Sequence, residues 1–103
     1  MRSVDLALGL PFDIASYATL THVLGRILGK TPRYLSCHFG NTHIYRNHID
    51  GVKEQLKRTP YKLPELWIDP SLQSLEDFET ATIDKFKLIN YEHHHPISLV
   101  MAV

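Results

Sequence analysis

Much that would assign this chain to a class at once is missing from it. Cys37 is the single cysteine among 103 residues, so no internal disulfide can form and a reducing compartment is the expectation. Charge of one sign is not in excess either: 11 Lys and Arg stand against 11 Asp and Glu. That balance leaves no basic footprint for nucleic acid, and any anionic ligand must be held by a local site. No apolar run approaches the length of a membrane span. The opening "MRSVDLALG" is short and carries Asp5, unlike a signal peptide. No low-complexity tract or internal repeat is visible. What is present is a chain 44% apolar and 10% aromatic, the composition of a packed domain rather than a disordered one. The expectation is a cytoplasmic protein of one domain, residues 1–103. At this length roughly two-thirds of the unfolded surface can be buried, so the core can be shared with something else.

Residues 2–9 read as a strand that stops at Gly9 before the Pro11 turn. From Ile14 to Leu28, Ser16, Thr19, His22 and Arg26 recur at spacings of three and four, and the remaining residues form a wide apolar face, which predicts a largely buried helix. Asp13 falls at its expected N-cap, and Gly29-Lys30-Thr31-Pro32 is its stop signal. Arg33 to Phe39 reads as a second strand, and Thr42 to Arg58 as an amphipathic helix with Tyr45, Ile49, Val52 and Leu56 on its buried face. Leu66 to Ile68, Phe86 to Asn90 and Ile97 to Val103 read as strands, and Leu75 to Phe78 as a helical turn or loop. The order predicts an α+β fold, helices layered on a mixed sheet.

Several pairs and clusters carry potential chemistry. Arg2-Ser3 joins a guanidinium to a hydroxyl, a pair able to grip phosphate. His43 and Tyr45 can bring an imidazole and a phenol to one ligand if the helix start is irregular, because i and i+2 diverge within a regular helix. Asp13 is a cap unless its carboxylate reads a ligand. His93-His94-His95 has no accompanying ligand at a recognisable spacing, so no metal site is expected. Cys37-His38 resembles a nucleophile beside its base, yet adjacent strand side chains diverge.

Taken together, the stretches "RSVDLALGLPFDIASYATLTHVL", "GNTHIYRNHIDGVKEQLKRTP" and the ending "HPISLVMAV", in this order and spacing, resemble the C-terminal part of the thymidylate synthase family. The resemblance implies that Arg2 and Ser3 bind the nucleotide 5′-phosphate and that His43 and Tyr45 hydrogen-bond the deoxyribose 3′-hydroxyl. Asp5 would contact the pterin of 5,10-methylenetetrahydrofolate, Gly9 would let the backbone approach the ligands, and Val103 would help hold the site shut over the folate. The family's nucleophilic cysteine lies in a Pro-Cys-His motif upstream of the Arg-Ser pair. No catalytic residue is therefore expected in this chain, which would lack an N-terminal segment and be inactive alone. A homodimer is implied for the complete enzyme, with no metal, membrane or nucleic acid. At Asp13 thymidylate synthases carry Asn, whose amide suits uracil, whereas deoxycytidylate hydroxymethylases carry Asp, whose carboxylate suits the cytosine amino group. Asp13 thus leans toward dCMP and a hydroxymethyl product, with dUMP methylation to dTMP as the competing outcome. A noncatalytic binding or assembly fragment is the third reading.

Overall fold

The structure, a computed structural model, describes residues 1–101. Two three-residue strands, β1 (Ser3–Asp5) and β2 (Asn41–His43), flank the long helix α1 (Leu10–Leu28) in sequence. A 3₁₀ turn at Arg46–His48 leads into α2 (Ile49–Leu56), and β3 (Glu65–Ile68), α3 (Leu75–Glu79), a second 3₁₀ turn at Ile83–Lys85 and β4 (Phe86–Ile89) complete the order. The mixture is α+β, as expected. Among the described residues the strands form two separate two-stranded ladders, β1 with β2 in parallel and β3 with β4 antiparallel, rather than one mixed sheet. The parallel pair needs a long crossover, which α1 and the segment after it supply.

The chain divides into two compact units. The first comprises Met1–Ser16, Ser36–Pro60 and the C-terminal residues from His94. Its ladder sets Ser3 opposite Asn41, Val4 opposite Thr42 and Asp5 opposite His43, and continues as Leu6 N–H donates to the His43 carbonyl at 2.9 Å. Val4, Leu10 and His48 are buried within this unit.

The second unit comprises Tyr17–Leu35 and Tyr61–His93. Its ladder pairs Trp67 directly with Lys87, whose ammonium lies 5.0 Å from the indole centroid, a cation–π contact across the strands. Ile68 and Leu72 are buried here. Arg26 Nη1 donates to the carbonyls of Leu72 at 3.1 Å and Asp69 at 3.3 Å. A guanidinium offers five donors in a rigid fork, so one side chain can satisfy loop carbonyls that no ladder reaches.

Helix α1 ends as its sequence dictates. Gly29 sits at φ 64°, Lys30 N–H donates to Gly25 O at 2.8 Å and Gly29 N–H to Arg26 O at 3.3 Å. These two bonds define a Schellman motif, which needs a left-handed residue that glycine adopts without steric cost.

Its start differs from expectation. The helix begins at Leu10 rather than Ile14, and Asp13 lies in the first turn, its N–H bonded to Gly9 O at 3.1 Å. Pro11 does not delay the helix because its missing N–H is among those left unpaired in the first turn anyway. Nor is α1 largely buried: Phe12, Tyr17, Leu20, Leu24 and Leu28 are exposed. Residues 33–39 form no strand, since strand-like composition without a neighbour to pair with leaves the ladder to Asn41–His43 instead. The helix expected over 42–58 is divided: His43 is on β2, and regular α-helix begins only at Ile49. Residues 97–101 also form no strand; side chains from the α2 region hold this segment instead.

Candidate functional site

The first unit gathers most of the residues singled out in the sequence. Parallel pairing places Asp5 across from His43, although they are far apart in the chain. At the end of β2 the chain turns, and the His43 and Tyr45 rings meet edge-on with centroids 5.1 Å apart. The divergence expected of i and i+2 on a helix does not apply, because neither residue is helical. Tyr45 also meets the buried His48 ring edge-on at 5.7 Å, a second ring contact that fixes the phenol.

Asp5 has a local structural task. Its Oδ1 accepts the N–H groups of Ala7 and Leu8, both at 3.2 Å, so it holds the turn leading into α1. Both bonds fall on one oxygen, and Oδ2 stays available as an acceptor. A Cβ at Gly9 would lie 3.3 Å from the Asp5 carbonyl oxygen, tighter than an ordinary contact, so glycine keeps this turn close to the strand. Asp5, Leu8, Gly9, Phe12, Tyr45 and Met101 line one cavity of about 410 Å³. Its walls are mainly apolar, with one carboxylate and one phenol.

Arg2 and Ser3 are exposed at the start of β1. The Arg2 carbonyl accepts from Asn41 N–H at 2.9 Å, and Ser3 faces Asn41 in the ladder, so the backbone that carries the pair is tied down while the side chains reach solvent. Asp13 is half-buried in the first turn of α1, where its charge complements the positive end of the helix dipole. It does not line the cavity that holds Asp5 and Tyr45. Val103 lies outside the described residues.

The two clusters discounted above fall elsewhere. Cys37 is an exposed free thiol, and the carbonyl of His38 accepts from the Met1 amino group at 2.6 Å. Among the described residues no group of three His, Cys, Asp or Glu could hold a metal ion. His94 Nε2 donates to the Thr59 carbonyl at 2.8 Å. No helix among the described residues is long and apolar enough to cross a membrane.

Sequence reasoning missed Leu8, which it placed in the 2–9 strand, and Phe12, to which it gave no role. Leu8 adjoins Gly9 and Phe12 lies three residues beyond it, a nearness to the glycine that is the signal available for them. It also missed Asn47 and His48, whose partner lies 52 residues away from the histidine and has no signature in the sequence.

The groups whose acidity is displaced lie in the second unit and serve its turns. The N–H of Ser71, aided by its hydroxyl and by Lys85, holds the Asp69 carboxyl below its ordinary range. The N–H groups of Gln73 and then Ser74 do the same for Asp77, and the Thr82 hydroxyl for Asp84. Each carboxylate accepts bonds that its protonated form would weaken.

Comparison with known proteins gives this geometry its class. The family model for thymidylate synthase matches residues 1–103. The thermostable thymidylate synthase A of Bacillus subtilis shares the fold at a TM-score of 0.83 and 36% identity, over 99% of this chain and 36% of that one. The chain belongs to the thymidylate synthase family. Among its curated relatives, the thymidylate synthase of Symbiobacterium thermophilum is 43% identical over 93% of this chain and 33% of its own length. That of Agaricus bisporus is 41% identical over 99% and 34%. The bifunctional dihydrofolate reductase-thymidylate synthase of Plasmodium chabaudi is 44% identical over 98% of this chain and 17% of its own length. The chain therefore spans about a third of the length of the single-function relatives it matches.

Proposed function

We propose that this chain supplies the nucleotide- and folate-binding C-terminal portion of a one-carbon transferase acting at C5 of a pyrimidine deoxynucleotide. The observation that carries this reading is the end-to-end family match together with the placing of Asp5, His43 and Tyr45 around one edge of the β1–β2 ladder. Arg2 and Ser3 hold the 5′-phosphate from the exposed start of β1. His43 and Tyr45 take the 3′-hydroxyl, each with a polar atom at the end of a ring kept in place by its neighbour. The cavity of Asp5, Leu8, Gly9, Phe12, Tyr45 and Met101 receives the pterin, with Asp5 Oδ2 accepting from its N–H edge and Leu8, Phe12 and Met101 excluding water. 5,10-Methylenetetrahydrofolate supplies the one-carbon unit as co-substrate.

The reaction begins with a thiolate adding to C6 of the pyrimidine, which makes C5 nucleophilic. Exposed Cys37 is not that group in this reading; the thiolate comes from the Pro-Cys-His segment of the family, contributed by the remainder of the fold in a homodimer. The names of the relatives favour dUMP as substrate and a methyl product. Asp13 favours a second reading, dCMP and a hydroxymethyl product, because its carboxylate has no side-chain partner among the described residues and accepts where cytosine donates.

The test is folate-dependent product formation by the 103-residue chain alone, by the N-terminal two-thirds of a relative alone, and by the two together. Activity only in the mixture supports the reading. Turnover by this chain alone, abolished by Cys37→Ala, overturns it. Nucleotide binding by the mixture with no turnover favours a noncatalytic binding fragment.

A further inference from the structure

The segment after His94 is held along the α2 region at successive points, and the last of these is the most heavily built. Arg58 Nη1 donates to the His95 carbonyl at 2.6 Å. At Gly51 an added Cβ would lie 2.5 Å from Leu99 Cδ2 and 3.2 Å from Ile97 Cγ2, so the absence of a side chain there seats both apolar residues against the helix. One residue further, the Val100 carbonyl receives two donors, Asn47 Nδ2 at 3.1 Å and His48 Nε2 at 2.6 Å. A carbonyl can only accept, so Nε2 of His48 carries the proton. His48 is fully buried, and its Nδ1 has no hydrogen-bond partner among the described residues. The Val100 bond is therefore the one polar anchor of a buried ring. The next residue, Met101, lines the cavity with Asp5 and Tyr45.

We infer that Asn47 and His48 are positioning residues that clamp the Val100 carbonyl and so fix where Met101 enters the folate cavity. The inference rests on the proposed function for the identity of the ligand but not for the clamp. Two donors on one carbonyl determine both its place and its orientation, which sets the direction in which Met101 leaves. The anchors before it hold the strap to the helix; this one decides how Met101 meets the cavity wall. His48 also abuts Tyr45, so its loss can disturb the cavity by a second route. Exposed Asn47 carries no ring to set against Tyr45, so its replacement separates the two effects.

The experiment is amide hydrogen exchange on the full chain, alone and assembled with the remainder of the family fold, for Asn47→Ala, His48→Phe and His48→Gln. Exchange of the C-terminal peptide from Pro96 onward should rise about fivefold with Asn47→Ala, the worth of one lost hydrogen bond. His48→Phe should raise it at least as much, while His48→Gln, which keeps a donor, should restore most of the protection. The α2 peptide should be unchanged for Asn47→Ala. In the assembled enzyme the KM for methylenetetrahydrofolate should rise by a similar factor for Asn47→Ala, with nucleotide affinity unaltered in that variant. Unchanged exchange, or equal loss in His48→Gln and His48→Phe, overturns the clamp. Increased exchange with an unaltered folate KM overturns its link to the folate cavity. A parent assembly with no turnover would count against the proposed function, and exchange would still decide the clamp.

Discussion

Asp13 concentrates the chemical question at the scale of single residues. In the first turn of α1 it complements the helix dipole, a role in which Asn, nearly equal in volume, is close to equivalent apart from charge. Asp13→Asn should therefore leave thermal stability within about 1 kcal/mol. What it changes is the pattern offered to a base: an acceptor for the cytosine amino group is replaced by a donor for uracil O4. A buried polar mismatch of this kind shifts discrimination by orders of magnitude. In the assembled enzyme the ratio of kcat/KM for dCMP over dUMP should fall in the variant; an unchanged ratio would reduce Asp13 to a dipole partner and leave dUMP methylation as the better reading. A second prediction concerns Val103. Deleting it should lower kcat more than nucleotide affinity, because a closing segment acts on the chemical step by excluding water. Steady-state kinetics beside nucleotide titration makes the comparison, and equal kcat with and without Val103 would remove that role.

At the scale of elements, local devices account for what the sequence made legible. The end of α1 could be read because glycine followed by proline is a signal with a steric cause, and Gly29 at φ 64° fulfils it. Gly29→Ala should cost about 1 kcal/mol through the left-handed conformation, measurable as a lowered midpoint in chemical unfolding. Helix α3 is closed by a capping box in which Ser74 accepts from Asp77 N–H while Asp77 accepts from Ser74 N–H, and Gln73 N–H adds a further bond at 2.9 Å. These donors lower the Asp77 pKa below its ordinary 3.8. A lowered folded-state value contributes stability that is complete above the unfolded value and lost as pH falls through the folded one. Asp77→Asn should thus reduce thermal stability at neutral pH, and the difference should shrink below about pH 4. A difference that persisted in strong acid would mean that the carboxylate charge is not what closes the turn. The start of α1 and the division of residues 42–58 could not be read in the same way. Pro11 is compatible with a turn or a first helical turn, and His43 becomes a strand residue only because β1 is present to pair with it.

At the scale of the molecule, the apolar surface matters most. Phe12 is 72% exposed, Tyr34 87% and Leu63 83%, and α1 keeps much of the wide apolar face that the sequence predicted would be buried. Polar-rich surface helices of stable monomers do not look like this. The shared core anticipated from chain length, and the one-third span of the relatives, both fit a surface that further polypeptide covers. We expect the 103-residue chain alone to bind a hydrophobic dye such as ANS strongly, and to lose that binding and gain a higher, sharper thermal transition when mixed with the N-terminal two-thirds of a relative. Dye fluorescence and calorimetry on the separate and mixed chains test this. No change on mixing would show that the exposed face is not an assembly surface for that partner.

The sequence by itself determined the family, through long ordered stretches such as "GNTHIYRNHID", and a local feature whose cause is local, the glycine stop of α1. It also named Asp5, His43 and Tyr45, but not that a parallel register sets the first two face to face. Tertiary structure alone decided that register, the absence of a strand over 33–39, the cavity walls at Leu8 and Phe12, and the hold of Asn47 and His48 on Val100. The reason is physical: caps and turns are satisfied by atoms a few residues away, whereas a strand needs a neighbour and a carbonyl needs a donor that the chain delivers only once it has folded.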